Sequence, residues 1–140
     1  MMISSKGRYA LRTIIDLAEQ QTTEYIPLKE IAERQNISHK YLESIMTILS
    51  KSNYIDALHG KGGGYRLNRS PKEYRVGDIL RLFERTLTPI SGVENTEKLC
   101  ESVSEYRMLS MWENLDEVVN TFLDNVCIAD LMSAEDISNI

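Results

Sequence analysis

No run of apolar residues in this chain approaches the ~20 needed to cross a bilayer, and Met1-Met2-Ile3-Ser4-Ser5-Lys6-Gly7-Arg8 lacks the apolar heart of a secretory signal. The expectation is a cytoplasmic protein with no membrane partner. Cysteine is scarce: Cys100 and Cys127 are too few for a disulfide framework, and a reducing cytosol keeps them as thiols unless they act as sensors. The two histidines, His39 and His59, fall on an outward helix face and a turn, neither paired with a nucleophile, and no metal-ligand spacing occurs. An enzyme is therefore not expected. An excess of positive charge is missing too: the formal net charge is −5, which at first sight excludes a nucleic-acid partner.

That total hides a division. Residues 1–85 carry 14 Lys+Arg against 10 Asp+Glu, whereas 86–140 carry 2 against 11. Such asymmetry suits a basic face for a polyanion beside an acidic part with another task, although two solvated surfaces of unlike sign would look the same. With 42% apolar and 26% charged residues, the 140-residue chain can bury one core plus an appendage.

Ser4 or Ser5 suits the N-cap of a first helix ending near Gln21, with Tyr9, Leu11, Ile14, Ile15 and Ala18 inward. Pro27 precedes a second helix, Leu28 to Gln35, burying Leu28, Ile31 and Ala32. Asn36-Ile37-Ser38 reads as a tight break, because Asn tolerates left-handed backbone and Ser38 is a good N-cap. A third helix, His39 to Lys51, buries Leu42, Ile45, Met46 and Leu49 and turns His39, Lys40, Glu43 and Ser44 outward. Strand-like runs at 54–58 and 65–68 flank His59-Gly60-Lys61-Gly62-Gly63-Gly64, a hairpin with a flexible tip. A helix from Gly77 to Arg85, a loop marked by Pro89 and Gly92, a long helix from Cys100 or Tyr106 to Leu123 and a short one from Ile128 to Met132 complete the chain. The long helix carries Leu109, Trp112, Leu115, Val119 and Phe122 at steps of three and four, a seam for a partner or for the chain's own core.

Ala32 is small enough to let the second and third helices cross closely. Asn36 then falls at the turn, and Ile31, Ile37, Leu42 and Ile45 fall at the inward slots of a helix-turn-helix. A helical hairpin in any core meets some of the same constraints. The glycine hairpin follows the third helix directly, where a wing lies beside the minor groove or the phosphates. Gly62 and Gly63 let the backbone approach closely, and Lys61, Arg66, Arg69 and Lys72 supply charge, although an ordinary surface hairpin has the same composition. A Walker phosphate loop is excluded, since the run lacks a Gly-Lys-Ser/Thr ending and joins strand to strand.

Four segments in fixed order, Ser4-Ser5-Lys6-Gly7-Arg8-Tyr9-Ala10-Leu11, Ile37-Ser38-His39-Lys40-Tyr41-Leu42-Glu43, Gly62-Gly63-Gly64-Tyr65-Arg66-Leu67 and Val76-Gly77-Asp78-Ile79, resemble the bacterial winged-helix regulators that include IscR, NsrR and CymR. The likeness continues through Trp112 and Asp124-Asn125-Val126-Cys127-Ile128-Ala129-Asp130-Leu131. The resemblance implies a mainly α fold with a small β-hairpin wing: a winged helix-turn-helix DNA-binding domain at 1–85, and at 86–140 a loop, a long dimerisation helix and a short terminal helix. It also implies a homodimer on a pseudo-palindromic operator in double-stranded DNA, most simply a repressor. By similarity Ser38, His39, Lys40, Tyr41 and Glu43 face the major groove, Glu43 accepting from a cytosine amino group and Lys40 and Tyr41 meeting phosphate. His59, Lys61, Gly62, Gly63 and Arg66 form the wing contact, with His59 standing where the family often has Arg.

Many such regulators hold an iron-sulfur cluster on three cysteines spaced Cys-x5-Cys-x5-Cys. That spacing, anchored at Trp112, falls here on Glu94, Cys100 and Tyr106, the accessory histidine falls on Leu109, and an N-terminal acidic ligand falls near Arg8. One thiol is not a stable ligand set for soft iron, so the resemblance is to the cluster-free branch, without cofactor, in which a small molecule, a protein effector or a lone thiol modulates binding. Cys100 is the candidate thiol, although Glu97, Glu101 and Glu105 around it disfavour a thiolate. Two alternatives to the operator-binding regulator follow: a protein-interaction module that has kept the fold, and a redox sensor through Cys100.

Overall fold

The computed structural model describes residues 3–89 and 102–133. Helix α1 (Ser5–Glu19) starts where Ser4 Oγ accepts the Gly7 amide at 3.0 Å. Helix α2 (Leu28–Gln35) follows Pro27 and ends at Asn36, whose left-handed backbone (φ 53°, ψ 49°) reverses the chain. Helix α3 (His39–Lys51) begins on Ser38, whose Oγ accepts the Tyr41 amide at 3.2 Å. Strands β1 (Ile55–Leu58) and β2 (Gly64–Leu67) pair antiparallel with Asp56 opposite Arg66, and Ile26 bridges to Tyr65 on the other side of β2. A 3-10 turn (Pro71–Glu73) capped by Ser70 leads to α4 (Val76–Phe83), and α5 (Val103–Asp124) is followed by a 3-10 turn (Ile128–Leu131). The fold is the winged helix with a long C-terminal helix, and α4 ends two residues before the expected Arg85.

One core joins α1–α3, the hairpin and α4, with Ile14, Ile31, Leu42, Ile45, Met46, Leu49, Ile79 and Tyr74 fully buried. Each such side chain contributes about 1.5–3 kcal/mol on leaving water, so four of them on one side of α3 fix which side remains outside. The chain end belongs to this core as well. Val76 donates to Val126 O and Ile128 donates to Tyr74 O, and these bonds set Ile128 and Met132 inside.

Two readings of helix faces need correction. In α1 the buried residues are Gly7, Ala10, Thr13, Ile14, Asp16, Leu17 and Ala18, whereas Tyr9, Leu11 and Ile15 are only half-buried. Helix α1 packs against α4 on one side and α2, α3 and β2 on others, so its inward arc is wider than an apolar stripe. In α5 the expected stripe splits: Leu109, Trp112 and Val119 are half-buried, while Leu115 and Phe122 join Met111 and Val118 in an exposed row at steps of four, three and four. The side of α5 facing the body is partly polar. Arg81 of α4 grips Asp124 (2.6 and 3.0 Å) and Asn120 (2.9 Å), and Thr88 donates to Asp116 at 2.9 Å. Among the described residues no helix is long and apolar enough to cross a membrane.

Candidate nucleic-acid interface

Helix α3 shows one polar face to solvent. Ser38, His39, Lys40, Glu43 and Thr47 are exposed, and Tyr41 is half-buried. The first turn carries no acidic residue, so the positive end of the helix dipole is left for an external anion. Ser44, expected outward, is half-buried and donates to Tyr41 O at 2.6 Å.

The angle at which this face is offered depends on residues behind it. Tyr41 meets Tyr9 of α1 edge-on with centroids 5.8 Å apart, and Arg12 lies 4.9 Å over the Tyr9 ring. Arg12 also donates to the backbone and side-chain oxygens of Gln35, the last residue before the turn. Deeper in, the buried Asp16 carboxylate accepts from Arg34 Nη2 at 2.8 Å and from Gln35 Nε2 at 2.7 Å. Gln35 occupies a slot where an apolar side chain is more usual, and Asp16 is its reason. None of Tyr9, Arg12, Asp16 or Arg34 was singled out for the interface from sequence; the one available signal was an acidic residue four positions after a basic one on the first helix.

The hairpin stands beside this face. Strand β1 packs against α3, and on β2 burial first, and the nearby charge of Glu43 second, hold the Tyr65 phenol above its ordinary pKa. At the tip His59, Lys61 and Gly62 are exposed, and the Gly63 amide closes onto Gly60 O at 3.0 Å. Gly62 has φ +77° and Gly64 φ +154°, backbone conformations that side chains disfavour, and a Cβ at Gly64 would stand 2.2 Å from Ile26 O. The predicted cations are not all at the tip. Arg66 stacks on Tyr25, donates to Thr23 O and faces Asp56 at 3.5 Å, while Arg69 stacks on Tyr54 and Tyr74 at the hairpin root, and Lys72 lies in the 3-10 turn beyond. Lys61 is the cation carried by the tip itself.

Of the positions that align with cluster cysteines, Glu94 and Cys100 lie outside the described residues, and Tyr106 is exposed on the first turn of α5. Leu109 is half-buried, and Arg8 is an exposed cation bonded to Ser5. Among the described residues no three His, Cys, Asp or Glu side chains stand close enough to hold a metal. A carboxylate, one thiol and a phenol do not fit a cluster that needs several thiolates. Cys127 stands at the N-cap of the 3-10 turn Ile128–Leu131, buried and donating to Asp130.

A family model described as Rrf2, iron-dependent transcriptional regulator, matches residues 3–134. The IscR regulator of Yersinia pseudotuberculosis is 31% identical over 142 residues, covering 100% of this chain and 84% of that protein. Among solved structures, CymR of B. subtilis, described as its global cysteine regulator, superposes with a TM-score of 0.76 at 29% identity, covering 100% of this chain and 98% of that one. The oxidised form of Staphylococcus aureus CymR gives 0.71 at 34% identity, covering 94% and 95%. On the winged helix and these full-length likenesses, the chain belongs to the Rrf2 family of transcriptional regulators.

Proposed function

We propose that the chain is a sequence-specific DNA-binding regulator and acts as a repressor, binding a pseudo-palindromic operator as a homodimer in the cytoplasm. The observation that carries this reading is the polar N-terminal face of α3, with no acidic residue in its first turn, held outward by a fully buried apolar face and flanked by a glycine-tipped hairpin. His39 and Glu43 reach base edges, Ser38, Lys40 and Tyr41 meet phosphate, and His59, Lys61, Gly62 and Gly63 follow the backbone into the adjacent minor groove. Arg66 supports the wing from its root rather than from its tip. Residues 1–85 do the DNA work. Residues 86–140 join two copies through Met111, Leu115, Val118 and Phe122, whose exposure on α5 needs a partner. With one thiol at the cluster positions, the regulator works without an iron-sulfur cluster, and its signal is a small molecule or a protein.

Selection of bound DNA from a random pool tests the reading. A two-fold-related consensus whose affinity falls steeply with salt is expected. Recovery of no consensus, or binding indifferent to salt, would overturn it, and visible charge-transfer absorbance of anaerobically purified protein would overturn the cluster-free part.

A further inference from the structure

An open cleft of about 660 Å³ lies at the root of the wing, between the C-terminal end of α1, the Gln21–Thr23 loop and the residues that leave β2. Its lining combines apolar Leu17, Ala18 and Leu67 with two guanidinium groups, Arg66 and Arg69. Both are fixed by the protein. Arg66 lies 4.3 Å over Tyr25 and uses Nε toward Asp56 and Nη1 on Thr23 O. Arg69 lies 4.7 Å over Tyr54 and uses Nε on Asn68 Oδ1 and Nη2 on Asn53 O. Arg66 Nη2 and Arg69 Nη1 take no part in these contacts.

A guanidinium already held by stacking loses little freedom when it grips an anion, and its fork matches a carboxylate. The volume is that of a small-molecule site. Asp56 also lines the cleft, so the lining carries one net positive charge, which balances a ligand with a single negative charge and leaves the further charges of a polyanion uncompensated beside the Asp56 carboxylate. We propose that this cleft binds a small organic monocarboxylate, its charge on Arg66 and Arg69 and its apolar body against Leu17 and Leu67.

Such a ligand ties the wing to α1. Arg66 and Arg69 belong to β2 and the residues just after it, whereas Leu17 to Thr23 belong to α1 and its loop. Arg66 stands two residues along β2 from Gly64, where the tip begins, about 7 Å at strand rise, so occupancy reaches the tip through β2. An effect on DNA rests on the regulator reading, but binding in the cleft does not.

Proton-nitrogen correlation spectra of the full chain, titrated with benzoate or isovalerate, test the proposal, with benzamide, isovaleramide and inorganic phosphate as controls. The two carboxylates are expected to shift the amides of Thr22, Thr23, Asn68 and Arg69 saturably, with smaller shifts at Gly60 to Gly63, and the amides and phosphate are expected not to. Arg69→Gln and Arg66→Gln should each weaken binding about tenfold, as loss of one charge-assisted hydrogen bond predicts. Thr22→Trp, which fills the cleft from an exposed position and leaves both cations in place, should block it. No saturable shift at these residues with either acid, equal shifts with the neutral amides or phosphate, or full binding by Thr22→Trp would overturn the proposal. A chain that selects no operator yet shows these shifts keeps the cleft and loses only the DNA reading.

Discussion

Asp16 and Arg34 form a two-point ion pair across α1 and α2, with Nη2 2.8 Å from Oδ1 and Nε 3.0 Å from Oδ2. The two ends are unequal: the Asp16 side chain is 3% exposed and that of Arg34 is 34% exposed. Arg34→Ala strands a buried carboxylate and is expected to cost about 3 kcal/mol, the low end for breaking such a pair. Asp16→Ala lets Arg34 turn to water and should cost less, about 1–2 kcal/mol. Urea unfolding midpoints measure both, and the reverse order would show that the carboxylate is not the sensitive end.

Glu43→Ala and Lys40→Ala separate reading from grip on α3. The first is expected to relax preference at one base pair of each half-site, a discrimination of about 1–3 kcal/mol, with little loss on unrelated DNA. The second is expected to weaken every sequence alike and to lower the salt slope by about 1. Titrations of a selected site and a scrambled one at several salt concentrations distinguish them. Uniform loss from Glu43→Ala would remove it from base contact.

Val118→Glu and Phe122→Glu each place a carboxylate in the exposed row of α5, where the native side chains are 64% and 67% exposed. No core is disturbed, so the helical signal should persist while self-association falls about a hundredfold or more. Sedimentation equilibrium gives the outcome. An unchanged dimer would move the interface elsewhere.

The joint between α4 and α5 should weaken in acid. Hydrogen bonds from Arg81 first, and its charge after burial is counted, hold the Asp124 carboxyl below its ordinary 3.8. A carboxyl lowered by folding stabilises fully above the unfolded value and loses that contribution as pH falls through the folded one. Because the side chains are 38% and 44% exposed, the effect is at most about 1 kcal/mol. Asp124→Asn should therefore be less stable than the parent at pH 7, and the two should converge as pH falls below 3.8 and through the lowered folded value. A constant gap in calorimetric melting across that range would exclude the ion pair as its source.

Gly64 and Gly60 both have positive φ, but only Gly64 lies against other backbone. Gly64→Ala drives a methyl into Ile26 O and should cost about 2–3 kcal/mol, with faster hydrogen exchange at Tyr65. Gly60→Ala meets open space and should cost about 1 kcal/mol of backbone strain. Similar costs for both would show that the crowding is relieved by a small shift of the loop.

What could be read from sequence was local. Asn36 in left-handed backbone, Ser38 as a cap and the glycine hairpin each depend on the conformational limits of a few adjacent residues. The faces of α1 and α5 depend on what packs against them from far along the chain. Apolar periodicity therefore passed over Thr13 and Asp16, which are buried because Tyr9 O and Arg34 satisfy them. It likewise merged the two sides of α5, since Asp116, Asn120 and Asp124 face the body through polar bonds and leave Met111 and Val118 outside. Arg69 supplies charge near the hairpin, as its place in the sequence suggests, but rings at the root hold it there.

The paired bonds between Ile26 and Tyr65, both 2.9 Å, tie β2 to the chain just before α2, so the hairpin is not a free arm. Both strands of the hairpin are thereby anchored at their roots, β1 against α3 and β2 beside Ile26, which sets the span from α3 toward the tip. On the proposed operator-binding reading, the double helix must come to the flap, and half-sites that demand a longer or shorter reach are disfavoured by backbone geometry before any side chain is consulted.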